Sequence, residues 1–293
     1  MFEIKNLQKK FGDNSAIDGL SMIIPDGSLF ALLGVNGSGK STLLRLLCGV
    51  YQKDGGEIIY NDSSLDDVSL KKDFLYISDE LQSKGESIDS LFLYYNTFYG
   101  MTKERYEHYL DLFEIDRKEK RLNHFSKGMK RRVYLAIALA ISPKVLFLDE
   151  AFDGLDIVGK TVFKEEILKS FDEEPSNIVV IASHSIKEVE SLCDRFVILK
   201  KGKLIYDSGE TSGAEYCKAE IGFKDEFDFT RLEKAGFKIL HSSKKVATLL
   251  AEKSSEDAAA ILSAFEPVLL DIGEISAEEL FFLKSEAVED ELR

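Results

Sequence analysis

The residues with the most chemical content stand together early in the chain: Gly34, Val35, Asn36, Gly37, Ser38, Gly39, Lys40, Ser41 and Thr42 fit the pattern GxxxxGK[ST]. An apolar run, Ser28 to Leu33, precedes them. Lys40 to Val50 follows, with Leu43, Leu44, Leu46 and Leu47 at helical spacing and a stop at Gly49. Strand, glycine loop and helix, in that order, form the context in which this pattern holds phosphates. Backbone N–H groups must close around the anion, and a Cβ at the glycine positions would block the turn. Lys40 is then the cation for the β- and γ-phosphates of a nucleotide. The Ser41 hydroxyl is placed to bind Mg2+, and the positive end of the following helix adds to the anion site.

Such a loop needs a metal-side carboxylate at the end of a neighbouring strand. Val145-Leu146-Phe147-Leu148 is an apolar run that ends in Asp149 and Glu150. Asp149 reads as the residue that holds Mg2+ through water, and Glu150 as the general base that orients the attacking water. Taken alone, an Asp-Glu pair after a strand is more often a solvated strand end than a site. Paired with the phosphate loop about a hundred residues earlier, it reads as the other half of a hydrolytic site.

The surrounding pattern supplies a frame for these residues. Phe2 to Leu7 and Ser21 to Ile24 read as strands, with turns at Asp26-Gly27 and Gly55-Gly56. From Ser87 to about Ile141 the pattern is helical, with aromatic residues at Phe92, Tyr95, Phe98 and Tyr99 and a charged stretch from Lys103 to Arg121. A helical subdomain is therefore expected at about 85–141. Val145 to Leu148 and Ile178 to Ala182 are strands separated by a helix from about Gly159 to Phe171, which predicts a parallel sheet covered by helices. Arg195 to Leu199 and Lys203 to Tyr206, joined by Lys201-Gly202, form a closing hairpin. Beyond Glu210 the chain turns acidic: residues 211–293 hold 18 acidic and 10 basic residues. With strand-like Val246 to Leu250 and helix-like Ser254 to Phe265, that stretch predicts a small appended α+β domain, leaving 1–210 as the main one.

Composition narrows the function class. The chain of 293 residues is 44% hydrophobic and 31% charged, as expected of a soluble globular protein of one large domain or one large and one small. Its apolar runs, such as Val133 to Ile141, fall short of the ~20 residues a membrane-spanning helix needs. The start, Met1-Phe2-Glu3-Ile4-Lys5-Asn6, lacks the layout of a signal peptide, so a cytoplasmic location is expected. Cys48, Cys193 and Cys217 have no CxxC spacing and predict plain thiols. A net charge of −14 opposes binding to nucleic acid or to an anionic lipid surface, so any membrane contact should come through a protein partner, without insertion.

With these motifs in this order, residues 1 to about 210 resemble the ABC ATPase family. The resemblance implies an α/β P-loop NTPase fold of ABC type, with a mixed β core, a parallel sheet and a helical subdomain. The family signature, usually Leu-Ser-Gly-Gly-Gln, is similar to Phe125-Ser126-Lys127-Gly128-Met129; Ser126 and Gly128 match and the other three positions depart. By resemblance, the Ser126 and Gly128 loop meets the γ-phosphate held by a second subunit. Glu150 to Asp156 looks like the segment that crosses the dimer interface, with Asp156 its last acid. His184 is similar to the switch histidine that hydrogen-bonds the γ-phosphate, and Phe11 sits where the family stacks an aromatic ring on adenine. The family's glutamine aligns with Asp79, and Gln82 lies three residues later. Asp79 either ligates Mg2+ as a hard oxygen donor or belongs to a loop that only couples to a membrane partner.

The resemblance implies an ATP-binding and ATP-hydrolysing subunit of an ABC transporter, with ATP and Mg2+ as cofactors. It would drive separate integral membrane transporter subunits from the inner face of the cell membrane. A homodimer is expected because Lys40, Glu150 and Ser126 all occur in one chain; a heterodimer is the alternative. The Ser-Lys-Gly-Met variant and the segment Ile275 to Phe281 are similar to the exporter branch, which implies export. Without the family, Ile275 to Phe281 is a short amphipathic helix. A soluble ABC-type ATPase acting on ribosomes or DNA is the rival, opposed by the single phosphate loop, the short spacing between the two nucleotide motifs and the acidic charge. A regulatory or resistance ATPase that moves no solute is a further alternative.

Overall fold

In the computed structural model the described residues are 1–81, 86–116, 121–209 and 215–286. The chain forms two compact units, Met1–Asp207 and Ser208–Arg293. Gln82 and the expected boundary at 210–211 lie outside the described residues.

The first unit opens with β1 (Phe2–Phe11) and β2 (Asn14–Ile24), an antiparallel pair with bulges in its register. Both run longer than their apolar alternation suggests, because the ladder continues through polar residues after Leu7. The chain continues through β3 (Ser28–Leu33), α1 (Lys40–Leu47), β4 (Gly55–Tyr60), β5 (Ser63–Ser64) and β6 (Phe74–Ile77). Gly55-Gly56, expected as a turn, instead opens β4. Ile58 and Tyr60 alternate inward there, opposite Ile4 and Phe2 of β1, and that burial favours a strand over a turn.

The helical region is broken and not continuous: α2 (Ile88–Tyr99), α3 (Lys103–Leu112) and α4 (Lys127–Ile141). Gly100 ends α2 in the left-handed region, and Thr102 and Ser126 begin the next two helices as side-chain N-caps. Then come β7 (Val145–Asp149), α5 (Ile157–Glu173), β8 (Ile178–Ser183), α6 (Ile186–Val189), β9 (Arg195–Lys200) and β10 (Lys203–Asp207).

The central sheet has the order β10-β9-β3-β8-β7-β6, parallel except for the β9–β10 hairpin. All residues of β3, β7 and β8 are buried, as expected of strands covered on both faces. In register, Leu33 lies opposite Ser183, and Asp149 opposite Ala182. The carboxyl ends of β3, β8 and β7 therefore finish side by side, where open parallel sheets bind ligands.

The second unit holds β11 (Cys217–Gly222), α7 (Thr230–Lys234), β12 (Lys238–Ser242), β13 (Val246–Ala251), α8 (Ser255–Ser263), β14 (Leu269–Glu274) and α9 (Ala277–Glu286). Its sheet is antiparallel, ordered β12-β13-β11-β14, around Ile221, Leu232, Leu249 and Leu262. Ser276 and Glu279 exchange hydrogen bonds at the start of α9, a capping box that begins the helix two residues after Ile275.

Candidate nucleotide site

The phosphate loop leaves β3 after Leu33 and turns into α1 at Lys40. Gly39 makes the turn with φ 108°, and a Cβ there would stand 2.7 Å from the Ala16 carbonyl oxygen, so only glycine fits. Lys40 is buried. Its Nζ donates to the carbonyls of Gly34 at 2.7 Å and Val35 at 3.4 Å, and lies 3.6 Å from Glu150 Oε1. Burial pulls the ammonium below its ordinary pKa of 10.5, while the Glu150 and Asp149 carboxylates push it back up.

A cavity of about 610 Å³ opens over this loop, lined by Phe11, residues 36–42, Asp79 and Glu150. Ser38, also in its wall, has a buried hydroxyl with no hydrogen-bond partner. A buried cation and an orphaned donor in one glycine-rich cradle fit a phosphate anion. Phe11 is exposed at the rim, its ring edge-on to Tyr51 with centroids 5.4 Å apart.

On the metal side, the Ser41 hydroxyl donates to Asp149 Oδ1 at 3.0 Å, and the Tyr76 hydroxyl to Oδ2 at 3.1 Å. The Ser41 hydroxyl and the Asp149 carboxylate are the hard oxygen groups that would hold Mg2+. Bound there, Mg2+ neutralises charge on the phosphate oxygens. Burial, then the Asp149 charge, push the Tyr76 hydroxyl up to about 12, so it stays a proton donor at neutral pH. Asp79 lines the same cavity, but its Oδ1 receives Arg131 Nη2 at 2.9 Å and Lys127 Nζ at 3.2 Å.

Glu150 follows β7 with φ 50°, a left-handed conformation uncommon outside glycine. Its N–H is anchored on the Ala182 carbonyl of β8 at 2.9 Å. The bend turns the carboxylate toward Lys40 on one side and His184 on the other: His184 Nδ1 is 2.9 Å from Oε2. His184 follows the end of β8 directly, so the side-by-side strand ends bring these three groups together.

Ser126, Gly128 and Asp156 do not line that cavity; they stand at the starts of α4 and α5. Ser126 accepts the Met129 N–H as the cap of α4. Gly128 lies against Gly154, where an added Cβ would stand 2.2 Å from the Gly154 carbonyl oxygen. Asp156 caps α5 through the Gly159 N–H at 2.9 Å and pairs with Arg132 Nη2 at 2.6 Å; the backbone bond first, then Arg132, hold its carboxyl below the usual range.

Arg131, missed in the sequence, is fully buried. It donates to the Ser78 carbonyl at 2.9 Å, the Asp79 carbonyl at 3.1 Å and the Asp149 carbonyl at 3.3 Å, tying the ends of β6 and β7 to α4. Its helical spacing with Leu135 and Ala138, both buried, was the available signal. No local pattern in the sequence marks Tyr76 as a partner of Asp149.

Comparison with known proteins supplies the family. Residues 17–153 match the ABC transporter family. The lantibiotic transport ATP-binding protein SrtF of Streptococcus pyogenes is 35% identical over 216 residues, covering 73% of this chain and 93% of that protein. The sulfate/thiosulfate import ATP-binding protein CysA of Synechocystis sp. is 34% identical over 221 residues, covering 69% of this chain and 58% of CysA. The solved structure of an ATP binding subunit of an ABC transporter superposes with a TM-score of 0.62 at 25% identity, covering 71% of this chain and 89% of that one. The ATP-binding cassette MJ0796, a dimer bound to ADP and Pi, shares the fold with a TM-score of 0.62 at 24% identity over 71% of this chain and 98% of its own. Motifs, fold and relatives agree: the chain belongs to the ABC transporter family, as an ATP-binding and ATP-hydrolysing cassette that uses ATP and Mg2+.

Proposed function

We propose that this cassette powers export through separate integral membrane subunits, two cassettes closing head to tail over ATP at the inner face of the membrane. The observation that carries the reading is the Glu150 carboxylate held between Lys40 and His184, beside the buried Asp149. Lys40 and the loop N–H groups hold the phosphates, and Phe11 carries the adenine. Glu150 orients a water and takes its proton as the water oxygen bonds to the γ-phosphorus and the bond to ADP breaks. His184 hydrogen-bonds the γ-phosphate and keeps Glu150 in place.

Ser126, Gly128 and Asp156 serve the second cassette's nucleotide, which accounts for their position away from this chain's own cavity. Asp79 acts through its ion pairs with Arg131 and Lys127, linking the end of β6 to the α4 cap. Residues 1–210 form the ATPase domain, with its helical subdomain at about 85–141, and 211–293 an accessory domain.

One observation supports a membrane partner: exposed Val50, Tyr94 and Phe98 line a groove of about 630 Å³ beside α2, an apolar surface suited to a protein segment. Export rests on the Ser126-Lys127-Gly128-Met129 variant and on the likeness of Ile275 to Phe281 to the exporter branch.

The test is MgATP hydrolysis by the purified chain against Glu150→Gln, with oligomeric size measured with and without ATP, followed by substrate flux in vesicles carrying the membrane partner. Turnover confined to the parent, an ATP-dependent dimer of the variant and outward flux are expected. An inactive, monomeric parent would overturn the self-sufficient homodimer, and inward flux would overturn export.

A further inference from the structure

Asp149 is 1% exposed, so each oxygen of its carboxylate needs a donor, and each has one. Ser41 takes Oδ1 and Tyr76 takes Oδ2. The phenol is itself held from behind: Arg45 Nε donates to the Tyr76 oxygen at 3.2 Å. Arg45 Nη1 also donates to the Tyr51 hydroxyl at 3.4 Å, with the guanidinium 5.7 Å from the centre of the Tyr51 ring. Tyr51 in turn meets Phe11. A hydroxyl that accepts from a guanidinium has its one proton free to give elsewhere, so the direction of the chain is set: Arg45 to Tyr76 to Asp149.

We propose that Tyr76 is a positioning residue for Mg2+: its hydroxyl occupies Asp149 Oδ2 and leaves Oδ1, the oxygen shared with Ser41, for the metal side. The inference rests on Asp149 being the metal-side carboxylate. Without the hydroxyl, the carboxylate loses one of its two anchors inside a nearly dry site and turns about its χ2. Arg45 is the next layer. It holds the phenol oxygen so that the proton faces Asp149, and it joins this network to the Tyr51 and Phe11 rings.

The sharpest variant is Tyr76→Phe, which keeps the ring and removes the donor. Mg2+ is titrated by calorimetry into the full chain holding a non-hydrolysable ATP analogue, and binding of the analogue alone is measured with EDTA present. Removal of an outer-shell partner costs about 10-fold to 100-fold in metal affinity, and a loss of about 10-fold is expected here. Metal-free nucleotide affinity stays at the parent value, and kcat falls at subsaturating Mg2+ with recovery when Mg2+ is raised.

Unchanged Mg2+ affinity in Tyr76→Phe overturns the proposal. Asp149→Asn separates the two layers: loss of Mg2+ affinity there, with none in Tyr76→Phe, refutes the positioning role alone. No loss in either variant refutes the metal-side reading of Asp149 as well. If Tyr76→Phe fails to fold, Arg45→Met is titrated in the same way. A loss of Mg2+ affinity smaller than that of Asp149→Asn supports the relay, and parent-like affinity overturns it.

Discussion

His184 Nδ1 lies 2.9 Å from Glu150 Oε2, while Lys40 Nζ stands 3.6 Å from the other oxygen of the same carboxylate. The carboxylate is thus held from both sides at the mouth of the phosphate loop. Glu150→Gln keeps this shape and removes the base. Turnover should fall by at least about 100-fold while ATP still binds, measured as phosphate release and equilibrium binding. His184→Ala should lower turnover less, because Lys40 still holds one oxygen. Parent-like turnover in Glu150→Gln would exclude the base role.

Lys40 links the site to pH. Burial lowers its pKa below 10.5 in the empty site, and phosphate anions raise it again. Between the two values the bound form holds a proton that the empty form lacks, so ATP binding takes up a proton and weakens as pH climbs through that alkaline window. For folding the sign is opposite. The unfolded chain binds more protons between the lowered pKa and 10.5, so this residue's penalty is present below the lowered value and is relieved as pH rises. Calorimetry in two buffers of different ionisation enthalpy reads the proton uptake, and proton release would contradict it. Lys40→Ala should lose ATP binding.

Arg131 and Asp79 separate two roles. Arg131→Met strands the carbonyls of Ser78, Asp79 and Asp149 that the guanidinium now serves. Leaving these acceptors without their donor costs about 3 kcal/mol in all. In a unit of this size that lowers Tm by roughly 6–12 °C. Asp79→Ala should cost less, because the buried Arg131 keeps its three backbone carbonyls and Lys127 retains Asp153 at 2.5 Å. Mg2+ affinity should not change in Asp79→Ala, and a clear loss would restore Asp79 as a metal ligand.

Gly128 tests the contact between the loops that open α4 and α5. Gly128→Ala places a methyl 2.2 Å from the Gly154 carbonyl oxygen, a backbone atom with no rotamer to yield. The loops that carry Ser126 and Asp156 must then part. Light scattering in a Glu150→Gln background should show ATP binding without ATP-dependent dimer formation; an intact dimer would show that the contact between these loops is dispensable.

By itself the sequence determined the features whose physics is local. A glycine loop between an apolar strand and an amphipathic helix marks a phosphate site, because its conformation is set by neighbouring residues. Asp149 and Glu150 stand out for the same reason, at the end of an apolar run. Where burial depends on distant strands, local pattern misled: Gly55-Gly56 looks like a turn until β1 lies beside it, and the polar ends of β1 and β2 do not look like strand.

Only the tertiary structure decided the partners. Strand order and register place the ends of β3, β7 and β8 side by side, and so bring Glu150 to Lys40 and His184. The same packing makes Arg131 a buried tie between β6, β7 and α4, turns Asp79 toward two cations, and sets Tyr76 against Asp149. A buried charge takes whichever partner the fold delivers, and that choice lies in contacts between residues far apart in the chain, beyond the reach of spacing and periodicity.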